Sequence, residues 1–295
     1  MSDLTGVLNI YKEKGYTSSD AVSVVRKILG RVKAGHTGTL DPQAEGVLPV
    51  CVGRATKIAD YIGGEKRYRA ELVLGVTTDT DDLTGKVLTE SPVDIGMGLL
   101  EETALSFLGK SMQTPPMYSA IKIGGKKLYE LARAGKTADR APREINIFLI
   151  SVKGYDETAH TAILDVECSK GTYIRSLCAD IGRALGCGGC MGGLARTRSG
   201  PFLIENSVTL GKLGAYAEAG RIYELLHPIE DVLKYRAVSA PAGYEKQIVN
   251  GAPFRASDGG AGGGELVFVY VNGSNIGVYA REGDWYKPRV MLNGA

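Results

Sequence analysis

An α+β fold with a mixed, mostly antiparallel sheet, followed by a small β-rich module, is predicted for this 295-residue chain. Three features predict it. Short segments of period-two alternation recur along the sequence, helical spacings are interspersed among them, and no regular strand–helix–strand rhythm of a doubly wound sheet emerges. Beyond about Tyr235 the composition shifts toward glycine and valine, which marks the module.

Near the start, Ser18-Ser19-Asp20 offers a helix cap; Ala21, Val24, Val25, Ile28 and Leu29 follow at helical spacing, and Gly30 is placed to stop the helix. The stretch from His36 to Pro42 reads as a loop, because the proline after Asp41 disfavours helix there. Tyr68, Ala70, Leu72 and Leu74 alternate with Arg67, Arg69 and Glu71 as a half-buried strand. A helix is expected over 99–108. Strands are expected where Ile145, Ile147 and Leu149 alternate, and again at Leu164, Val166 and Cys168. Ile174, Leu177, Cys178, Ile181 and Leu185 mark a further helix, stopped by Gly186.

The segment 121–143 is basic, contains glycine and has little strand character; it reads as an insertion standing off the core. In the C-terminal part, 259–264 is a flexible glycine-rich loop. Val267, Val269 and Val271, the Asn272-Gly273 turn and a return strand over 276–280 make a hairpin. At roughly 60 residues such a module is too small to be very stable unless docked on the main domain.

Apolar content of 44% and charged content of 23% are those of an ordinary soluble globular protein. The opening residues lack a basic segment leading into an apolar one, and the apolar runs are too short to span a membrane. A soluble, cytoplasmic protein with no membrane partner is expected. Five cysteines, an odd number, do not make a secreted disulfide framework. Cys187 and Cys190 form a lone C-x-x-C, with neither a second pair nor histidines in ligand spacing, so reduced structural thiols and no metal site are expected.

Net charge is only +2, but it is unevenly spread. Lys110, Lys122, Lys126, Lys127, Arg133, Lys136, Arg140 and Arg143 outnumber Glu130, Asp139 and Glu144, and basic residues again outnumber acidic ones over 20–69. Two basic stretches in a nearly neutral chain suit a one-sided face for a polyanion.

Stock catalytic motifs are missing: there is no G-x-x-x-x-G-K-[ST], G-x-S-x-G or H-E-x-x-H. Asp79, Asp81 and Asp82 lack the glycine and closing glutamate of a calcium loop and read as a solvated turn. Asp41 sits in a loop between glycines, five residues after His36; on local context alone an Asx turn or helix cap accounts for it.

The longer pattern changes that reading. Gly35-His36-Thr37-Gly38-Thr39-Leu40-Asp41-Pro42-Gln43-Ala44-Glu45-Gly46-Val47-Leu48 resembles the catalytic-loop motif of the TruB family of tRNA pseudouridine synthases. Lys66-Arg67-Tyr68-Arg69-Ala70, with Thr78-Asp79-Thr80-Asp81 after it, resembles the family's second motif. Gln113-Thr114-Pro115-Pro116-Met117-Tyr118 resembles the lead-in to its RNA-gripping insertion. Cys168-Ser169-Lys170-Gly171-Thr172-Tyr173-Ile174-Arg175 is similar to its third active-site motif, and Arg196-Thr197-Arg198-Ser199-Gly200-Pro201-Phe202 to the close of its catalytic domain. The five segments occur in family order. There are three departures from the pattern: Lys12-Glu13-Lys14-Gly15 has Glu13 where the family's first motif, Lys-Pro-x-Gly, has proline, Gly189-Cys190-Met191 replaces Ala-His-Leu, and Ala195 replaces an arginine.

The resemblance implies a catalytic domain over 1–234, with an RNA-gripping insertion at about 121–143, and a PUA-like RNA-binding domain over 235–295. It implies conversion of a uridine in the T loop of tRNA, position 55 in the bacterial enzymes, to pseudouridine. The target must leave its stack to be reached. No redox change occurs and no group is carried, so no cofactor is expected. Asp41 is the implied catalytic carboxylate, with Arg175 as its charge partner and Tyr68 stacking on the uracil. Tyr173 and Leu194 would complete the pocket wall, and His36 would contact the RNA where the base is displaced. Lys12, Lys122, Lys126, Lys127 and Arg133 are the implied RNA contacts. The expected partner is the T arm of tRNA, bound by a monomer without a protein partner. A noncatalytic RNA-binding chaperone for tRNA is the alternative, and it would have no need of Asp41 and Arg175.

Overall fold

The computed structural model describes residues 4–119, 121–133, 135–257 and 264–292. Three strands, β1 (Gly6–Lys12), β2 (Ala34–His36) and β3 (Glu45–Val52), open the main sheet, with α1 (Ser18–Ile28) between the first two. The cap of α1 is Thr17, one residue earlier than the Ser-Ser-Asp reading. The Thr17 hydroxyl accepts from the Asp20 N–H and the Asp20 carboxylate accepts from the Thr17 N–H, both at 3.0 Å, a reciprocal capping box. Ser18 is thereby released for another task, described below.

Next come β4 (Lys66–Leu74), the hairpin of β5 (Val76–Thr78) and β6 (Val87–Glu90), α2 (Met97–Leu105) and β7 (Gly109–Gln113). The helix expected over 99–108 begins two residues earlier and ends three earlier. It buries Leu100 and Ala104 and leaves Leu99, Leu105 and Leu108 exposed. The 121–143 segment is not devoid of strand. It carries a small hairpin of β8 (Lys122–Ile123) and β9 (Lys126–Lys127), turned by Gly124 and Gly125 at φ +57° and +83°, and then α3 (Leu128–Arg133).

The larger, N-terminal part of the chain is completed by β10 (Arg143–Asp156), β11 (Thr161–Cys168), α4 (Ile174–Ala184), β12 (Gly189–Ser199), β13 (Phe202–Leu203), α5 (Leu210–Glu218), β14 (Leu226–His227) and α6 (Ile229–Leu233). The main sheet runs β14-β1-β3-β12-β4-β11-β10-β7, with β2 on β3 and β13 on β12. Among its described pairings only β3 with β12 is parallel. Leu149 does not continue the inward row begun by Ile145 and Ile147. A β-bulge between Ile147 and Leu149 shifts the register, so Ile150 points inward while Phe148 and Leu149 face out.

Residue alternation explains where each core lies. On β4 and β11, one face is apolar: Tyr68, Ala70, Leu72, Leu164, Val166 and Cys168 pack with Leu100 of α2 and Ile174, Leu177 and Ile181 of α4. Their other face carries Arg69–Asp165 and Arg67–Glu167 ion pairs across the strands. The run Val47–Val52 is apolar without interruption because both faces of β3 are covered. Leu48, Val50 and Val52 meet α1 and α5, whereas Val47 and Cys51 meet Phe268, Val278 and Leu292.

Those last residues belong to a second, five-stranded sheet. It is formed by β15 (Arg236–Ser239), β16 (Phe254–Arg255), β17 (Leu266–Val271), β18 (Ser274–Glu282) and β19 (Trp285–Met291), with α7 (Glu245–Val249) before β16, in the order β15-β17-β18-β19-β16. Asn272 and Gly273, at φ +50° and +77°, make the expected turn between β17 and β18. The glycine-rich loop expected over 259–264 lies outside the described residues apart from Gly264. This small sheet buries Val267 and Val269 with Tyr279 and Tyr286 on one side and shares Phe268 and Val278 with the main domain on the other. Docking supplies apolar burial, about 1.5–3 kcal/mol per large side chain, that so short a module lacks on its own.

Candidate active site

Asp41 lies on the loop between β2 and β3, and four residues of that loop, Gly38, Thr39, Leu40 and Pro42, are held by buried side chains from elsewhere. The Ser18 hydroxyl, at the first turn of α1, accepts from the Leu40 N–H at 2.8 Å and donates to the Leu40 carbonyl at 3.1 Å. Arg196 of β12 has no exposed surface. Its Nη2 donates to the Gly38 carbonyl at 3.2 Å, its Nη1 to Thr39 at 3.3 Å and its Nε to Val47 at 2.7 Å. Lys12, at the end of β1, donates to the carbonyls of Glu13 (3.1 Å), Tyr16 (2.6 Å) and Pro42 (3.3 Å). Buried donors reaching these carbonyls leave the loop little freedom. Gly46 allows β3 to come this close to β12: it has φ +102°, and a Cβ there would sit 2.3 Å from the Arg196 carbonyl oxygen.

Lys12 is therefore placed differently from an exposed phosphate contact. Its ammonium is enclosed, and burial lowers its pKa to about 8, with nearby Asp41 partly offsetting the loss.

Arg175 enters from the first turn of α4. Its Nε stands 2.9 Å from Asp41 Oδ2 and its Nη2 3.4 Å from Oδ1, a two-pronged approach. The guanidinium is itself aimed by the carbonyls of Tyr118 (Nη2, 2.7 Å) and Thr80 (Nη1, 3.2 Å), and Asp82 Oδ2 lies 3.8 Å from its Nε. The Asp79–Asp82 stretch is thus no merely solvated turn. The Asp82 side chain is mostly buried, accepting from Thr80 and Thr84, and Asp81 is half-buried beside Ser176, where burial raises its carboxyl pKa.

Leu194 of β12 stands opposite Ala70 of β4, diagonal to Tyr68, and Tyr68 and Leu194 share a buried cluster with Leu40 and Ala44 of the Asp41 loop, giving the site an apolar floor. Burial raises the Tyr68 phenol pKa, so the hydroxyl stays protonated near neutrality. Tyr173 is the N-cap of α4. Its backbone is clamped by the buried side chain of Gln113, which accepts from the Tyr173 N–H at 2.8 Å and donates to its carbonyl at 3.0 Å. His36 ends β2, half-buried; burial first, then Arg196 and Lys66, lower its pKa, which leaves the imidazole neutral at pH 7. Lys122, Lys126, Lys127 and Arg133 fall on β8, β9 and α3, and their side chains lie outside the described residues.

The structure thus brings together Asp41, Arg175, Tyr68, Leu194 and the backbone of Tyr173. Sequence reasoning missed Ser18, Gln113, Asp82 and the loop-holding role of Arg196. A buried arginine in a motif with no acidic partner nearby was the available signal for the last. All five cysteines are buried and free; burial pushes the thiols of Cys51 and Cys168 up to about 12 and about 11. No helix among the described residues is long and apolar enough to cross a membrane.

Comparison with known proteins gives a consistent picture. Residues 26–174 match the model of the TruB family pseudouridylate synthase N-terminal domain, and residues 175–234 match that of the tRNA pseudouridylate synthase B C-terminal domain. The chain is 48% identical over 250 residues to the tRNA pseudouridine synthase B of Alkaliphilus oremlandii, covering 84% of this chain and 82% of that protein. It is 44% identical over 250 residues to that of Oceanobacillus iheyensis, covering 83% and 82%. Among solved structures, a chain of a Cbf5-Nop10-Gar1 complex superposes with TM-score 0.74 at 26% identity, covering 98% of this chain and 85% of that one. A chain of an H/ACA RNP bound to a substrate RNA containing 2′-deoxyuridine, at 24% identity and TM-score 0.72, shares the fold.

Proposed function

Since the chain belongs to the TruB family of pseudouridylate synthases, we propose that it converts uridine 55 in the T loop of tRNA to pseudouridine through Asp41. The observation that carries the reading is the Asp41–Arg175 pair set above the Tyr68–Leu194 floor. The names of the relatives, tRNA pseudouridine synthase B, support tRNA as the substrate.

The reaction breaks the N1–C1′ bond, turns the uracil and joins C5 to C1′, after which the proton on C5 leaves. A flipped base entering this pocket meets an apolar slot and the Tyr68 ring, which suit the face of a uracil. Asp41 meets the ribose. As an ionised carboxylate held by a guanidinium, it can attack C1′ or take a ribose proton to give a glycal; both routes need the same placement. The Tyr68 phenol is too weak a base to take the C5 proton unaided, so its role is stacking, with its hydroxyl assisting at most. His36, neutral, fits a contact with the RNA at the gap left by the displaced base. The basic 121–143 segment grips the phosphate backbone of the T arm, giving affinity without sequence information. The enzyme acts as a monomer in the cytoplasm, with no protein partner.

Incubation with an unmodified tRNA transcript, followed by carbodiimide labelling and primer extension, tests this. A single stop at the T-loop uridine is the expected result. A stop elsewhere would contradict the assigned target, and RNA binding with no stop at all would favour the chaperone reading.

A further inference from the structure

Lys66 occupies the start of β4, two residues from Tyr68 and on the same strand face. A methyl group built on Gly38 would lie 2.9 Å from Lys66 Nζ and 3.7 Å from Arg196 Nη1, so the missing Gly38 side chain lets the Lys66 ammonium pack against the loop beside the Arg196 guanidinium. Lys170 adds further positive potential at Lys66, and His36 lies in the field of both Lys66 and Arg196. The neighbouring carboxylates are already taken on the opposite sheet face: Glu167 is bonded to Arg67 and Arg198, and Glu65 lies 3.6 Å from Arg198. Among the described residues no carboxylate or carbonyl pairs with the Lys66 ammonium. The buried Nδ1 of His36 also lacks a partner there.

A half-buried ammonium beside a fully buried guanidinium, with no anion between them, is unfavourable in the free protein. Burial, with Arg196 as the next cause, lowers the Lys66 pKa to about 8. Such an arrangement becomes favourable once an anion enters. The two cations meet at Gly38, three residues before Asp41, on a loop that Arg196 and Ser18 hold still.

We propose that Lys66, reinforced by the buried charge of Arg196 and flanked by His36, binds the phosphodiester adjoining the flipped uridine and so sets the ribose against Asp41. This rests on the proposed RNA substrate and adds to it a specific anion subsite. Lys66 is a positioning residue: it touches the backbone of the nucleotide, not the reacting atoms. Arg196 has all of its surface buried and contributes charge rather than a direct contact.

The test is a binding cycle on a T-arm stem-loop, with the native backbone or with a neutral methylphosphonate at either linkage flanking the target uridine. Lys66→Met is expected to weaken binding of the native RNA by about tenfold or more, the loss of one charge-assisted hydrogen bond. One of the two methylphosphonates should weaken the parent protein similarly and leave Lys66→Met unaffected. Lys66→Arg should retain most of the affinity. Thermal unfolding supplies a second readout: because the ammonium is unpaired, Lys66→Met should raise the Tm of the free protein, and Lys66→Gln run alongside guards against a packing defect peculiar to methionine. Equal sensitivity of parent and Lys66→Met to both methylphosphonates, or unchanged affinity with a lowered Tm, would overturn the subsite. Because the cycle reads binding, a parent that shows the coupling but forms no pseudouridine would sink the proposed reaction and leave the subsite standing. Turnover without the coupling would do the reverse.

Discussion

Arg175 Nε lies 2.9 Å from Asp41 Oδ2, and the two side chains differ sharply in exposure: 5% for the arginine and 38% for the aspartate. The guanidinium is spent inward on Asp41, Thr80 and Tyr118, while the carboxylate keeps one side open to an incoming ribose. An enclosed cation beside an accessible carboxylate fixes the direction of the acid without blocking it.

Arg175→Lys keeps the charge but loses the fork. A single ammonium cannot serve both Asp41 oxygens and two carbonyls in fixed directions. Turnover is expected to fall by about 10²-fold through misplacement of Asp41, with RNA affinity changed by no more than about threefold. Single-turnover pseudouridine formation checks this; a loss confined to KM would make Arg175 a binding residue.

Much of this site was legible in the sequence. Asp41, Tyr68 and Arg175 lie in segments that resemble the family's motifs, so the resemblance points at them. The supporting contacts were not legible, because they depend on long-range packing. Ser18 read as a helix cap until Thr17 took that place, and only the fold shows its hydroxyl turned to Leu40. The resemblance implies Lys12 only as an RNA contact, and its three carbonyl partners come from two separated loops. Leu149 differs for a simpler reason: one extra residue in β10 inverts the side chains that follow, up to a second bulge between Val152 and Gly154, and period-two counting cannot see a bulge. The alternating strands and the Asn272-Gly273 hairpin were legible because each is specified by neighbours in sequence.

Arg196→Met would leave the carbonyls of Gly38, Thr39 and Val47 without their donor, that of Val47 in a buried place. A loss of about 3 kcal/mol or more in urea unfolding, with an unchanged m value, is expected. A change below about 0.5 kcal/mol would mean that the loop holds itself, as a surface substitution would.

The pH response of Lys12 has two opposite parts. Its folded pKa, about 8, is below its ordinary value of 10.5, so between those limits the unfolded chain holds a proton that the folded chain lacks. Lys12 therefore makes folding stability rise with pH across that window. Over the same window the ammonium that ties Glu13 and Tyr16 to Pro42 is lost, and kcat should fall above about pH 8 without a parallel drop in Tm. In Lys12→Met this alkaline fall in kcat should disappear. A pH–rate profile that is identical in parent and variant would separate Lys12 from turnover.

Replacing Lys126 and Lys127 together with alanine should weaken RNA binding and flatten its salt dependence by roughly one to two units of slope. Titrations across several salt concentrations give the slope, and an unchanged value would move the RNA grip away from the 121–143 segment.

The central claim is that Asp41 performs the chemistry on a uridine. Release of tritium from C5-labelled uridine in a T-arm stem-loop, measured for the parent and for Asp41→Asn under single-turnover conditions in EDTA, tests it most directly. Release by the parent, with the variant slower by at least about 10³-fold and its RNA affinity within about threefold, is the predicted result. Near-normal release by Asp41→Asn would contradict the account.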